Sequence, residues 1–127
     1  MLEVMLTQTQ SQLDLARDPN TPPEILEGLC DSDEHSVLVN IAANPNTSAS
    51  TLEKLANSPD PRIRANVARH LNTPTATLDK MADDEDWFVF RAVSCNPNTS
   101  KRIKNYFIAV HYIKILKIYD PKLVTWI

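Results

Sequence analysis

The sequence predicts an all-α protein, an α-solenoid of about three full 26-residue two-helix repeats with partial repeats at both ends. Three observations lead there. Asn20, Asn46, Asn72 and Asn98 stand 26 residues apart, each followed by a threonine (Thr21, Thr47, Thr73 and Thr99), and a fixed period in this range marks a stacked repeat array. Aliphatic residues fill matching columns, Leu26/Leu52/Leu78, Leu29/Leu55/Met81 and Val37/Ile63/Val89, and within one copy Leu29 and Cys30 stand three and four residues after Leu26, on one helical face. The chain holds one glycine against nine prolines, the punctuation of short helices joined by corners rather than of hairpins.

Residues 1–16 read as a half repeat. Shifting the period back one copy puts Leu15-Ala16 on the columns of Ile41-Ala42 and Val67-Ala68, so the chain opens on the second helix of a unit, with Met1–Leu6 as an apolar flap. Terminal repeats are atypical because one side has no neighbour.

Residues 17–98 hold the full repeats. In the first, Thr21 is placed to cap a helix with Pro22 at its first position and Glu24 completing a capping box. Leu26, Leu29 and Cys30 face inward, Asp31–Glu34 forms an acidic corner, and a second helix carries Val37 and Ile41. That helix must stop near Asn44, because a residue before proline is pushed out of helical geometry. The second repeat places Leu52, Leu55 and Ala56 inward, turns at Ser58–Pro61, and returns Ile63 and Val67. The third has Leu78, Met81 and Ala82, the corner Asp83–Asp86, then Val89 and Val93.

Residues 99–127 depart from the pattern. Lys104 takes the leucine column, Phe107 and Ile108 keep theirs, and the next corner is missing. One longer capping helix over about 100–119 is expected, its apolar side closing the array, although its many β-branched residues also suit a strand; residues 120–127 trail it, held by Trp126 or else disordered.

The units resemble the leucine-rich repeat variant family. The likeness rests on Asn44-Pro45-Asn46-Thr47, Leu52, Leu55-Ala56, Asp60-Pro61-Arg62-Ile63-Arg64 and Val67-Ala68, with counterparts in the other copies, over roughly residues 11–100. Repeats of the HEAT and armadillo type share the D-P-x-V-R helix. The resemblance implies a right-handed superhelix of short helices, in which one helix per unit can be of the 3₁₀ kind. One member type carries an iron–sulfur cluster on a separate cysteine-rich segment; Cys30 and Cys95 cannot supply four thiolates. The family's arginine after the inward Val/Ile stands here only as Arg64, with Leu38 and Phe90 in its column.

Composition bounds the function. Residues 1–98 carry 7 Lys/Arg against 15 Asp/Glu, a balance of −8, and residues 99–127 carry 6 against 1, a balance of +5. An acidic body argues against nucleic acid as the partner. Two cysteines make no disulfide framework and fit a reducing, cytoplasmic setting. No apolar run is long enough to cross a membrane. His35, His70 and His111 occupy unrelated columns and no catalytic or phosphate-binding motif is present, so no enzyme activity, cofactor, metal or small-molecule substrate is expected. The Asn-Thr pairs read as structural, the asparagines forming a hydrogen-bonded ladder.

A non-catalytic protein–protein interaction module is therefore expected. Its partner is not named by the sequence, and Leu38, Arg64, Trp87 and Phe90 are the candidate contacts on the second-helix columns. Trp87-Phe88-Val89-Phe90 is the most unusual stretch, and an outward aromatic cluster is a common binding hot spot. The apolar tail folding back over it is the alternative. A second functional reading is self-assembly, a homodimer joined through the apolar residues 109–127.

Overall fold

The computed structural model describes the backbone of residues 2–124 and the side chains of residues 8–122. The side chains of the Met1–Leu6 flap, and Trp126, lie outside those described. The described chain is helical throughout and without strands. Its helices are α1 (Leu2–Arg17), α2 (Pro23–Leu29), α3 (His35–Ala43), α4 (Ala49–Leu55), α5 (Pro61–Arg69), α6 (Thr75–Met81), α7 (Trp87–Cys95) and α8 (Lys101–Tyr119), closed by a 3₁₀ turn over Pro121–Val124.

The longer helices form one row, α1 against α3, α3 against α5 and α5 against α7. The seven-residue helices α2, α4 and α6 pack beside that row on the helices that follow them in the chain. They are α-helical, not 3₁₀. One apolar core runs through the row, with Leu26, Val37, Ile41, Leu52, Ile63, Val67, Leu78, Val89 and Val93 fully buried. No seven-residue helix is stable alone in water; each holds its shape because its leucine is buried against the neighbouring unit. Leu15, in the column of the fully buried Ile41 and Val67, is 41% exposed, because α1 is the first helix of the described row.

The threonine column corrects one expectation. Thr21 does not cap α2: that helix begins at Pro23, its N-cap is Pro22, and no side chain caps it. The hydroxyl points back instead. Thr21 donates to the carbonyl of Leu15, Thr47 to Ile41 and Thr73 to Val67, each at 2.6 Å, and Thr99 donates to Val93. Each threonine stands one residue before the N-cap of the following helix, at Pro22, Ser48, Pro74 and Ser100, outside the position from which a hydroxyl accepts the free amides of that helix. The unpaired carbonyls at the end of the preceding helix are the stronger claim on a buried donor. Only Ser48 and the corner aspartates cap helices: Ser48 accepts from the amide of Thr51, Asp60 from Arg62, and Asp86 from Phe88 and Val89.

The ladder expected of the Asn-Thr pairs is present at Asn46, Asn72 and Asn98, and a row two residues earlier in each unit, not expected from the sequence, accompanies it. Asn44 Nδ2 donates to the carbonyls of Ala16 and Asp18 in the preceding unit, at 2.8 and 2.9 Å, and Asn96 Nδ2 repeats this on Ala68 and His70. His70, in the same column, reaches the Asn44 carbonyl through Nε2 at 2.6 Å while Nδ1 accepts from the Asn72 amide. Asn46, Asn72 and Asn98 form their own row of such bonds to the unit before. Helix ends that elsewhere need a left-handed glycine are thus satisfied by the next repeat. No described non-glycine residue has positive φ, which accounts for a chain with so little glycine.

The helix expected over about 100–119 is found as α8. It does not close the array as expected. None of its residues is fully buried, and Ile108, in the column of Cys30, Ala56 and Ala82, is 64% exposed. Its first turns pack on the end of the row, with Ile103 against the core, and without a second corner the rest of the helix runs past it.

Candidate functional site

The four expected contacts share one side of the row but do different things. Leu38 is half-buried and packs against the core. Arg64 is held from two sides: its guanidinium grips the Asp84 carboxylate through Nε at 2.8 Å and Nη2 at 3.2 Å, and donates to the Ser58 carbonyl at 2.8 Å. It thereby joins its own corner to the next one. Asp84 beside it raises the guanidinium pKa above its ordinary value. Phe90 is buried, at 9% exposure, beneath an aromatic group. Its ring centroid lies 5.3 Å from Phe107, 5.7 Å from Trp87 and 6.4 Å from Tyr106. Trp87 is the open member, 40% exposed, stacked on Phe107 at 6.0 Å with the Lys114 ammonium 4.1 Å over its ring. The base of α8 thus covers Phe90 and half of Trp87, close to the alternative in which the tail folds back.

A groove along α5 and α7 gathers residues that the sequence reading did not single out. A cavity of about 350 Å³ is lined by Val39, Pro61, Arg62, Ala65, Asn66, Arg69, Asp86 and Phe88. It runs into a second of about 330 Å³ through the shared Arg69 and Phe88, reaching Arg91, Ala92 and Cys95. Phe88 stands between them, 67% exposed. Phenylalanine and arginine are among the side chains enriched at protein interfaces. The Phe88 column holds Ser36 and Arg62 in the earlier units. That contrast, read on the solvent side of the second helices, is the signal that would have found the groove.

The groove is basic. Arg62 is neutralised by Asp60, its Nη2 2.9 Å from the carboxylate. Arg62 also holds the Asp60 carboxyl at a pKa of about 2, below the ordinary range, through its side chain and its amide. Arg69 donates to the amide oxygen of Asn66 at 3.3 Å, and Arg91 is exposed. Neither makes an ion pair with a carboxylate among the described residues. Asp86, the acid on the rim, is committed to the amides of Phe88 and Val89. Two guanidinium groups are left to face solvent beside an apolar ring.

Among the described residues no group of three or more His, Cys, Asp or Glu is placed to hold a metal ion. No described helix is long and apolar enough to cross a membrane. Both cysteines are free thiols. Burial pushes the Cys30 thiol up to about 11, whereas Cys95 is exposed at the end of the groove.

Residues 61–86 match the family model of the leucine rich repeat variant. The match spans one period, from the start of α5 through α6 to the corner that caps α7, and includes the Arg64–Asp84 clasp. No curated protein and no solved structure matches the chain.

Proposed function

We propose that this chain, whose residues 61–86 are a leucine rich repeat variant unit, is a non-catalytic module that binds an acidic segment of another protein. The observation that supports this most is the groove of Arg69, Phe88 and Arg91. It offers an apolar anchor point with two guanidinium groups beside it that have no carboxylate of their own. Aromatic and arginine side chains are the residue types that carry most of the energy at protein interfaces. Trp87 extends the contact surface toward α8; Leu38, Arg64 and Phe90 share another column of the second helices and do not line the groove. The two guanidinium groups beside the ring fit a short acidic peptide with an apolar anchor, while the balance of −8 over residues 1–98 opposes a long polyanion such as a nucleic acid backbone.

Random displayed peptides selected on the folded chain test this reading. The selected sequences are expected to carry acidic residues around one apolar anchor. They should lose at least tenfold in affinity for Phe88→Ala and for Arg69→Glu, with the helical circular dichroism of both variants unchanged. Selection of no peptide, or of peptides that bind both variants as they bind the parent, contradicts the reading.

A further inference from the structure

The second half of α8 carries an apolar stripe that nothing described in this chain covers. Ile108, Tyr112, Ile115 and Tyr119 are spaced by four, three and four residues, the spacing of a helix seam that packs against another helix. Their exposures are 64%, 62%, 39% and 83%. At 1.5 Å per residue the stripe runs for about 16 Å along the helix. The positions flanking it are Ala109, His111, Leu116 and Ile118, so the seam carries no lysine, arginine or carboxylate between Ile108 and Tyr119. The lysines of this segment lie elsewhere around the helix. Lys114 is drawn over the Trp87 ring, and Lys117 falls on the side opposite the seam.

We propose that the occupant of this stripe is a second copy of the chain, paired through α8 in antiparallel fashion about a two-fold axis between residues 113 and 114. The stripe is its own complement under that operation. Ile108 meets the other copy's position 119, and Tyr112 meets position 115, so every tyrosine faces an isoleucine in both halves. A two-fold interface requires such self-matching. Charge favours the same arrangement. The basic start of α8, with Lys101, Arg102 and Lys104, lies at opposite ends of an antiparallel pair, whereas a parallel pair would set both starts side by side. The pairing uses residues separate from the Arg69–Phe88–Arg91 groove, so it stands or falls independently of peptide binding.

Light scattering on the full chain over a range of concentrations should give twice the chain mass. The double variant Tyr112→Lys and Ile115→Lys should give the single mass with unchanged helical circular dichroism. Single cysteines then test the register in a Cys30→Ala and Cys95→Ser background. Tyr112→Cys and Ile115→Cys variants, mixed and oxidised, are expected to cross-link with each other and not with themselves. A single mass for the parent at every concentration overturns the proposal, as does a lysine variant that keeps the double mass. Self-cross-linking of either cysteine variant overturns the antiparallel arrangement.

Discussion

Thr47 is fully buried and donates its hydroxyl to the Ile41 carbonyl six residues earlier, a bond that Thr21, Thr73 and Thr99 repeat. A β-branched side chain is stiff at χ1, so threonine presents the donor with little further loss of freedom while its methyl group fills the core. Thr47→Val keeps the shape and removes the donor. The Ile41 carbonyl retains the Asn44 amide, so the loss should be near that of one neutral hydrogen bond, about 1 kcal/mol. Thr47→Ser keeps the donor and deletes the buried methyl, a separate loss of about 1 kcal/mol. Urea unfolding of the three proteins checks both losses; a valine variant as stable as the parent would deny the hydroxyl its role. His70 belongs to the same scale. Its ring spans the gap that Asn44 and Asn96 span with an amide, Nε2 on the carbonyl before and Nδ1 on the amide after, which sets the tautomer with the proton on Nε2.

At the level of elements, the clasp between Arg64 on α5 and Asp84 before α7 stands where the first repeat has Leu38 and the second corner has Ser58. Its side chains are 20% and 11% exposed, a setting in which breaking one partner costs more than the pair is worth. Arg64→Leu alone should cost about 2 kcal/mol by stranding a half-buried carboxylate. Arg64→Leu together with Asp84→Ser recreates the residues of the earlier columns and should recover much of that loss, a coupling of about 1 kcal/mol or more in a double-mutant cycle. Strictly additive losses would mean that the two groups act independently.

Helix positions and the core columns were legible in the sequence, because burial at Leu26, Leu52 and Leu78 imposes identical chemistry every 26 residues. The ladder of Asn46, Asn72 and Asn98 was legible from the same period, whereas the buried row of Asn44 and Asn96 was not, because His70 and Asp18 interrupt its column. The direction of the threonine hydroxyl was not, since a threonine before a helix reads alike whether it caps forward or binds backward. Nor was the groove, because solvent-side columns change from copy to copy: Ser36, Arg62 and Phe88 share one. The reach of α8 was legible, yet its failure to close the row was not. Periodicity shows that a stripe is apolar without showing which neighbour it meets.

Across the whole molecule, contacts run from each unit to the next, so stability is built from nearest-neighbour interfaces. Those interfaces are part aliphatic and part polar, and the polar part consists of buried amides on the carbonyl ends of the preceding helices. The first member of that column is Asp18, exposed, with only the Asn20 amide to accept. Asn96, 3% exposed, accepts from the Asn98 amide as Asp18 does from Asn20, and also donates twice to the unit before. The two positions therefore share an acceptor role and differ in whether a donor is needed.

Thermal unfolding of Asn96→Asp beside Asp18→Asn tests most directly whether donated amides bind the repeats together. The aspartate would keep the turn but set a buried carboxylate against two carbonyls. It should cost about 3 kcal/mol, a fall of roughly 10 °C in midpoint for a chain of this size, while Asp18→Asn should leave the midpoint within about 2 °C. Equal and small shifts at both positions would contradict the account, because the units would then be held by their aliphatic columns alone.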